Sequence, residues 1–201
     1  MQIMPRINHR FVQELCIKIV TDGTPVRVPV RPEPDAEVNE CFLNVPKKIA
    51  RAGGAIKHGW CIWELSGLFV EAEFHGVWRS PPGDFVDVTP KVHKETEILF
   101  LPDDSASFDE KSFNRRDNIR LAIKNDAVVH EFLKVSGELI KYIEDSTDST
   151  DPRLTKVDRL EYGALLARKA ELQLKMDALK IGRNDICRCG SAQKYKKCCG
   201  Q

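Results

Sequence analysis

The 201-residue sequence predicts an α+β fold, a helix followed by an antiparallel meander with further helices C-terminal to it. Three observations carry that prediction. Phe42, Val45, Ile49 and Ala52 recur at helical spacing, and Gly53-Gly54 closes the run. Residues 56–65, 68–79 and 85–88 are rich in Ile, Val, Phe and Trp, and Ser66-Gly67 and Pro81-Pro82-Gly83 punctuate them as turns. Residues 127–143 carry Val128, Phe132, Val135, Leu139 and Ile143 on one helical stripe. A helix and a meander that each bury one face against the other make an α+β core.

The remaining elements follow in chain order. Residues 1–34 read as short and irregular, with an apolar stretch at 15–20 and an alternating Val26, Val28, Val30 strand that Pro32 and Pro34 terminate. Pro46 lies within the first helical run, so it belongs in the first turn, and the helix starts close to Cys41. Residues 91–150 read as a short strand at 97–101, a polar loop at 102–108 and two helices, the second at 127–143. The polar, turn-rich stretch 144–152 is the expected domain boundary. Beyond it, residues 154–180 form one amphipathic helix with Leu165, Leu172 and Leu179 at sevenfold spacing, open to a coiled-coil or docking role, though about two heptads are too short to claim a coiled coil. The expected organisation is a main domain at 1–145, a helix at 152–180 and a small module at 181–201.

Composition narrows the function classes. Hydrophobic residues are 42% and charged residues 30%, as in a soluble globular chain, and the longest apolar runs are too short to cross a bilayer. Net charge is +1, so a nucleic-acid partner would need a local basic patch. The N-terminus has no apolar core of a secretory signal, which together with the cysteine usage gives a cytoplasmic expectation. Of seven cysteines, four fall within thirteen residues near the C-terminus. An odd total and a tight cluster favour metal and thiol chemistry over a disulfide framework, with Cys16 and Cys61 read as buried structural residues.

The cluster has the pattern C-x-C-x8-C-C: Cys187, Cys189, Cys198 and Cys199. Twenty residues cannot bury enough surface to order themselves, whereas four thiolates on one zinc ion convert metal binding into folding free energy. Arg183, Arg188, Lys194, Lys196 and Lys197 against a single Asp185 partly balance the charge of such a site. The letters Cys187-Arg-Cys189-Gly190-Ser191, Lys194-Tyr195-Lys196 and Cys198-Cys199 resemble the SEC-C motif found at the C-terminus of the translocase ATPase SecA. Ala192 stands where that motif has its second glycine, and the fourth ligand is Cys rather than the His of many SecA tails. The resemblance implies a Zn2+ site on these four cysteines and an interaction module, with a protein or RNA partner reached through its basic surface. It implies no activity.

Activity is sought in residues 37–90. Cys41 falls at a helix start, where the macrodipole and free N–H groups favour a thiolate. His75 lies in one strand and Asp87 in the next, and a turn centred on Pro81 would set them opposite each other on one face. A one-residue slip would separate them. A helix-borne thiol, a histidine base and an orienting carboxylate make a nucleophile arrangement, with the Cys41 N–H as an oxyanion donor. Glu71 and Glu73 share the face of His75, and Trp60, Trp63 and Trp78 either line a groove or fill the core. Cys61 and His58 offer a second metal site as an alternative.

Cys41, then His75-Gly76-Val77-Trp78, then Asp87-Val88-Thr89-Pro90 resemble, in order and topology, the transglutaminase-like branch of the papain-like cysteine hydrolases. That family sets a cysteine at a helix start, His-Ala-Trp on a strand and Asp-Pro-Thr on the next. Glu40 before the cysteine and Asp-Val-Thr-Pro depart from its pattern. The resemblance implies a cysteine hydrolase or acyltransferase with Cys41, His75 and Asp87 as its catalytic residues. The rival expectation is an inert adaptor in which Cys41 is a core residue and both parts bind macromolecules.

Overall fold

The computed structural model describes residues 2–108, 116–147 and 156–200. Its elements mix helices with antiparallel strands, so the fold class is α+β. The chain divides into two compact units. One comprises Met4–Trp63 and Glu71–Phe108, and the other Met1–Ile3, Glu64–Val70 and Asp109–Gln201.

The first unit opens with α1 (Arg10–Ile19), a helix in the region that the sequence pattern reads as irregular. Its buried stripe is Val12, Leu15 and Cys16, and His9 caps it by accepting the Phe11 N–H. Histidine is not among the usual capping residues, so the start signal is missing from the sequence. The strand β2 (Val26–Pro29) follows, and then α2 (Cys41–Ala52). Pro46 stands in the second turn of α2 rather than the first, which leaves the helix one backbone donor short. Gly53 and Gly54 end α2 at positive φ, and a Cβ on Gly54 would lie 2.3 Å from the Arg79 carbonyl oxygen.

The long strands β3 (Ala55–Leu65) and β4 (Phe69–Arg79) carry the chain from one unit into the other and back. With β5 (Phe85–Val86) and β6 (Glu97–Pro102), the order is β2-β6-β3-β4-β5. Val28 faces Ile98, Cys61 faces Phe100, and Trp78 faces Val86. The two ends of this order also meet. Val30 bridges Asp87 in parallel, and Asp87 donates to the Pro29 carbonyl (2.9 Å) while its own carbonyl accepts from Arg31 (2.8 Å). Both backbone groups of Asp87 are therefore fixed by the closing contact. Inside lie Val28, Cys61, Trp63, Val77, Ile98 and Phe100.

In the second unit, β1 (Gln2–Ile3) pairs with the end of β3, and a short strand β7 (Ile119–Ala122) pairs with β4. The sequence pattern places the first of two helices in this stretch. The described part of it is β7, and residues 109–115 lie outside the described structure. The helices α3 (Ala127–Asp145) and α4 (Arg159–Asp177) pack against each other. Leu68, Phe69, Val129, Phe132, Val135, Leu172 and Met176 form their core. Each helix is capped by an aspartate, Asp126 accepting from Val128 and Asp158 from Leu160 and Glu161. Of the expected boundary at 144–152, residues 144–147 are described and 148–152 lie outside the described residues. No helix among the described residues is long and apolar enough to cross a membrane.

Candidate functional site: a thiol–imidazole–carboxylate cluster and a four-cysteine module

Both sequence-derived sites come together in space, each inside its own unit. In the first unit, His75 Nε2 lies 2.9 Å from Asp87 Oδ2. Cys41 lies close enough to the same imidazole to help raise its pKa. All three are withdrawn from solvent: Cys41 is 4% exposed, His75 6% and Asp87 0%.

The route to this geometry differs from the expected one. Trp78 opposes Val86 and Arg79 opposes Phe85, so the turn centres on Pro82 instead of Pro81. Continued along the ladder, that register would set His75 opposite Thr89. The displacement is two residues, an even number, so face parity survives and His75 meets Asp87 diagonally. Asp87 is held at this position by its bridge to Val30.

Two further side chains build the cluster and carry no sequence signal of their own. Lys91 Nζ lies 2.6 Å from Asp87 Oδ2 and 3.2 Å from His75 Nε2. Asn44, buried on α2, donates to the Glu37 carbonyl (2.7 Å) and to Thr89 Oγ1 (3.2 Å), and accepts from the Glu37 N–H. Asn44 thus ties the chain that leads into Cys41 to the residue two beyond Asp87. Thr89 in turn donates its N–H to Asp87 Oδ1 at 2.9 Å.

Electrostatics follow from this packing. Burial works against the charged form of His75, but the Asp87 carboxylate and Cys41 outweigh it and push its pKa up to about 9. Burial likewise opposes the charge on Asp87, yet His75 and Lys91 hold its carboxyl below the usual range. Burial alone pushes the Cys16 thiol up to about 12 and dominates an upward shift at Cys61. These shifts set the stability profile of the unit. A raised His75 pKa contributes stability that is complete below about 6.5 and is lost as pH rises through about 9. A depressed Asp87 pKa contributes stability that is lost on acidification below about 4. The His75 and Asp87 contributions are therefore both expected between about pH 4.5 and 6.5, and the His75 contribution falls by about 3 kcal/mol by pH 9, while His9 of the same unit, held down to about 4 by burial, works against stability below about 6.5. Urea unfolding at a series of pH values, compared with His75→Gln, measures it.

The other residues weighed from sequence are elsewhere. Trp60 and Trp63 are buried, donating to Asp103 Oδ2 (3.0 Å) and Glu73 Oε2 (3.1 Å), so they are core rather than groove. Trp78 donates to the Gly53 carbonyl and takes Lys48 over its ring. His58 lies against the rings of Phe42 and Phe74, and Cys61 sits in the core. Among the described residues, no cluster of ligand atoms includes Cys61 or His58, which removes the alternative metal site.

In the second unit, the Sγ atoms of Cys187, Cys189, Cys198 and Cys199 all lie within 4.8 Å of one another. Cys189 and Cys198 are 3.4 Å apart, and Cys198 and Cys199 3.7 Å. A tetrahedral site with metal–sulfur bonds of about 2.3 Å has sulfur–sulfur edges of about 3.8 Å, whereas a disulfide requires about 2.05 Å. All seven thiols are free. The donor set and its spacing fit one four-coordinate ion.

The local chain explains the convergence. Cys187 donates its N–H to Gln193 O (2.7 Å), and Ile186 bridges Lys194, so a tight loop brings the first pair of ligands toward the second. A 3-10 turn at Tyr195–Lys197 then presents Cys198 and Cys199. Gly190 and Ala192 both take positive φ, +88° and +58°. The alanine therefore carries a Cβ where the backbone favours glycine, at a cost of about 1 kcal/mol. Ala192→Gly is expected to strengthen metal retention by about that amount, a roughly fivefold gain in a competition titration with a chelator.

The module is also anchored within its unit. Tyr195 Oη donates to Glu64 Oε1 (3.0 Å), and Arg188 donates to the Gly67 and Leu179 carbonyls (both 2.9 Å). Ile181, Cys187, Tyr195, Cys198 and Cys199 share a small apolar cluster.

Comparison with known proteins places this module. Residues 183–201 match the SEC-C motif. Curated relatives that match are SecA protein translocase subunits. The one from Polynucleobacter asymbioticus is 32% identical over 115 residues, covering 47% of this chain and 12% of that protein. The one from Polynucleobacter necessarius is 29% identical over 182 residues, covering 83% and 19%. The one from Syntrophomonas wolfei is 77% identical over 22 residues, covering 11% and 3%. The chain spans less than a fifth of the length of these relatives. No solved structure matches.

Proposed function

We propose that the first unit is a cysteine hydrolase or acyltransferase of transglutaminase-like type, and that the C-terminal module holds one zinc ion and steers the protein to a macromolecular partner. The observation that carries the catalytic reading is the shared imidazole, with Asp87 2.9 Å from Nε2 and Cys41 near enough to act on the same ring.

With Nε2 committed to Asp87, Nδ1 is the nitrogen that takes the Cys41 proton. The thiolate then attacks an acyl carbon, forming a C–S bond, while the carbonyl oxygen gathers charge near the Cys41 N–H at the start of α2. Collapse expels the leaving group, which takes the proton from the imidazolium. Water or an amine then attacks the thioester with His75 as base and releases the thiol. A zinc ion held by Cys187, Cys189, Cys198 and Cys199 would be structural and would take no part in these steps. The module's exposed Arg183, Lys194 and Lys197 suit an acidic protein or RNA surface. SecA likeness and this composition support a cytoplasmic protein.

Treatment of the zinc-loaded protein with p-nitrophenyl acetate tests the reading. A burst of nitrophenolate with one acetyl group on Cys41, abolished by Cys41→Ser, is the expected result. The adaptor reading is favoured by the near-complete burial of Cys41. Absence of an acetyl adduct on Cys41 would establish it as the better account.

A further inference from the structure

The Cys41–His75–Asp87 reading leaves one buried charge unused, the Lys91 ammonium. Its side chain is 12% exposed, and its Nζ touches both Asp87 Oδ2 (2.6 Å) and His75 Nε2 (3.2 Å). An ammonium has donors only, and Nε2 spends its hydrogen on Asp87, so Nζ and Nε2 do not hydrogen-bond when the ring donates to the carboxylate. What remains between them is repulsion whenever the ring is protonated on both nitrogens. Asp87 Oδ1 is occupied by the Thr89 N–H, so Oδ2 is shared between the two cations.

We infer that Lys91 is a positioning residue that holds the Asp87 carboxylate in place and makes the His75 imidazolium release its proton to the leaving group as Cys41 is acylated. The inference rests on the reading of Cys41 as the nucleophile. Charge counting supplies the reason. Before attack, a Cys41 thiolate, the His75 imidazolium, the Asp87 carboxylate and the Lys91 ammonium sum to zero, which suits a buried cluster. As the tetrahedral adduct collapses to the neutral thioester, the negative charge departs on the leaving group and these four groups are left net positive, and transfer of the Nδ1 proton to the leaving group neutralises both. Without Lys91 the cluster would be negative before attack and neutral after it, so His75 would keep its proton. Among the described residues, Cys61 on β3 acts on Lys91, and Glu73 on β4 acts on Cys61. Burial keeps Cys61 neutral, and Glu73 accepts from Trp63.

The test reads His75 directly, by NMR titration of full-length, zinc-loaded protein labelled at histidine. Cys41→Ser supplies an uncharged position 41, as in the thioester, whether or not Cys41 reacts. In that background Lys91→Met is expected to raise the His75 titration midpoint by about one to two pH units, because a cation about 3 Å away is removed. Lys91→Arg keeps the charge and should stay within about 0.3 unit of its parent. Lys91→Gln, which can still hydrogen-bond to Asp87, supplies the uncharged case should Lys91→Met not fold. A midpoint that is unchanged or lower in a folded, uncharged variant overturns the inference. A raised midpoint in a protein whose Cys41 takes no acetyl group would instead confirm the role of Lys91 in the cluster and overturn the nucleophile.

Discussion

Replacing Cys198 and Cys199 together by serine is expected to release the metal and unfold residues 183–200, while the first unit stays folded. The magnitude follows from the origin of the module's stability. It has one small apolar cluster and few backbone hydrogen bonds, so ligation must supply most of its folding free energy. Structural zinc in modules of this size contributes about 10–16 kcal/mol, and losing two of four thiolates removes most of it. Metal content by elemental analysis should fall from one ion per chain to none. Loss of the Tyr195–Glu64 and Arg188–Gly67 contacts should follow, read as faster amide exchange at Gly67 and Ile181. Far-UV circular dichroism should change little, because α3 and α4 keep their own core.

Asp87→Ala is expected to be the most damaging single substitution in the first unit. It strands the Lys91 ammonium in a site that is almost closed to solvent, takes the hydrogen-bond partner from His75 Nε2, and leaves the Thr89 N–H without its acceptor. Breaking a buried pair by removing one partner costs about 3–5 kcal/mol. Asp87→Asn retains the shape and an acceptor oxygen, so it should cost less while lowering the His75 pKa. The backbone bonds of Asp87 to Pro29 and Arg31 persist in both variants, which isolates the side chain as the cause. Urea unfolding of the two variants at pH 6, compared with wild type, measures the difference.

Much of this architecture was legible in the sequence because periodicity and turn residues agreed. The start of α2 at Cys41, its end at Gly53 and the three runs that became β3, β4 and β5 all rest on such agreement. The pairing of His75 with Asp87 was legible for a subtler reason. Parity in a hairpin tolerates an even error, so a turn displaced from Pro81 to Pro82 still left both side chains on one face. Lys91 and Asn44 were not legible. Lys91 follows Pro90 and precedes His93-Lys94-Glu95, a stretch that reads as a solvated loop, and only the tertiary fold brings its ammonium to Asp87. Asn44 sits on a helix whose apolar stripe says nothing about a buried amide. Helix α1 escaped because its cap is a histidine, and β7 because four residues are too few for a periodic signal. In the tail, the cysteine spacing and the SEC-C-like letters around it announced the cluster, because a short segment with four close thiols has too little apolar surface to fold on without a metal.

The central claim, that Cys41 and His75 form an activated thiol–imidazole pair, is tested most directly by alkylation. Zinc-loaded protein is exposed to iodoacetamide at pH 6, and the labelled peptides are quantified by mass spectrometry. Cys16 and Cys61 are held protonated by burial, and a bound metal would protect the four clustered cysteines. Cys41 should therefore be labelled first, with His75→Ala slowing its labelling by about tenfold or more and Asp87→Asn slowing it less. Labelling of Cys41 no faster than of Cys16, and indifferent to His75→Ala, would contradict the account and leave Cys41 as a core residue.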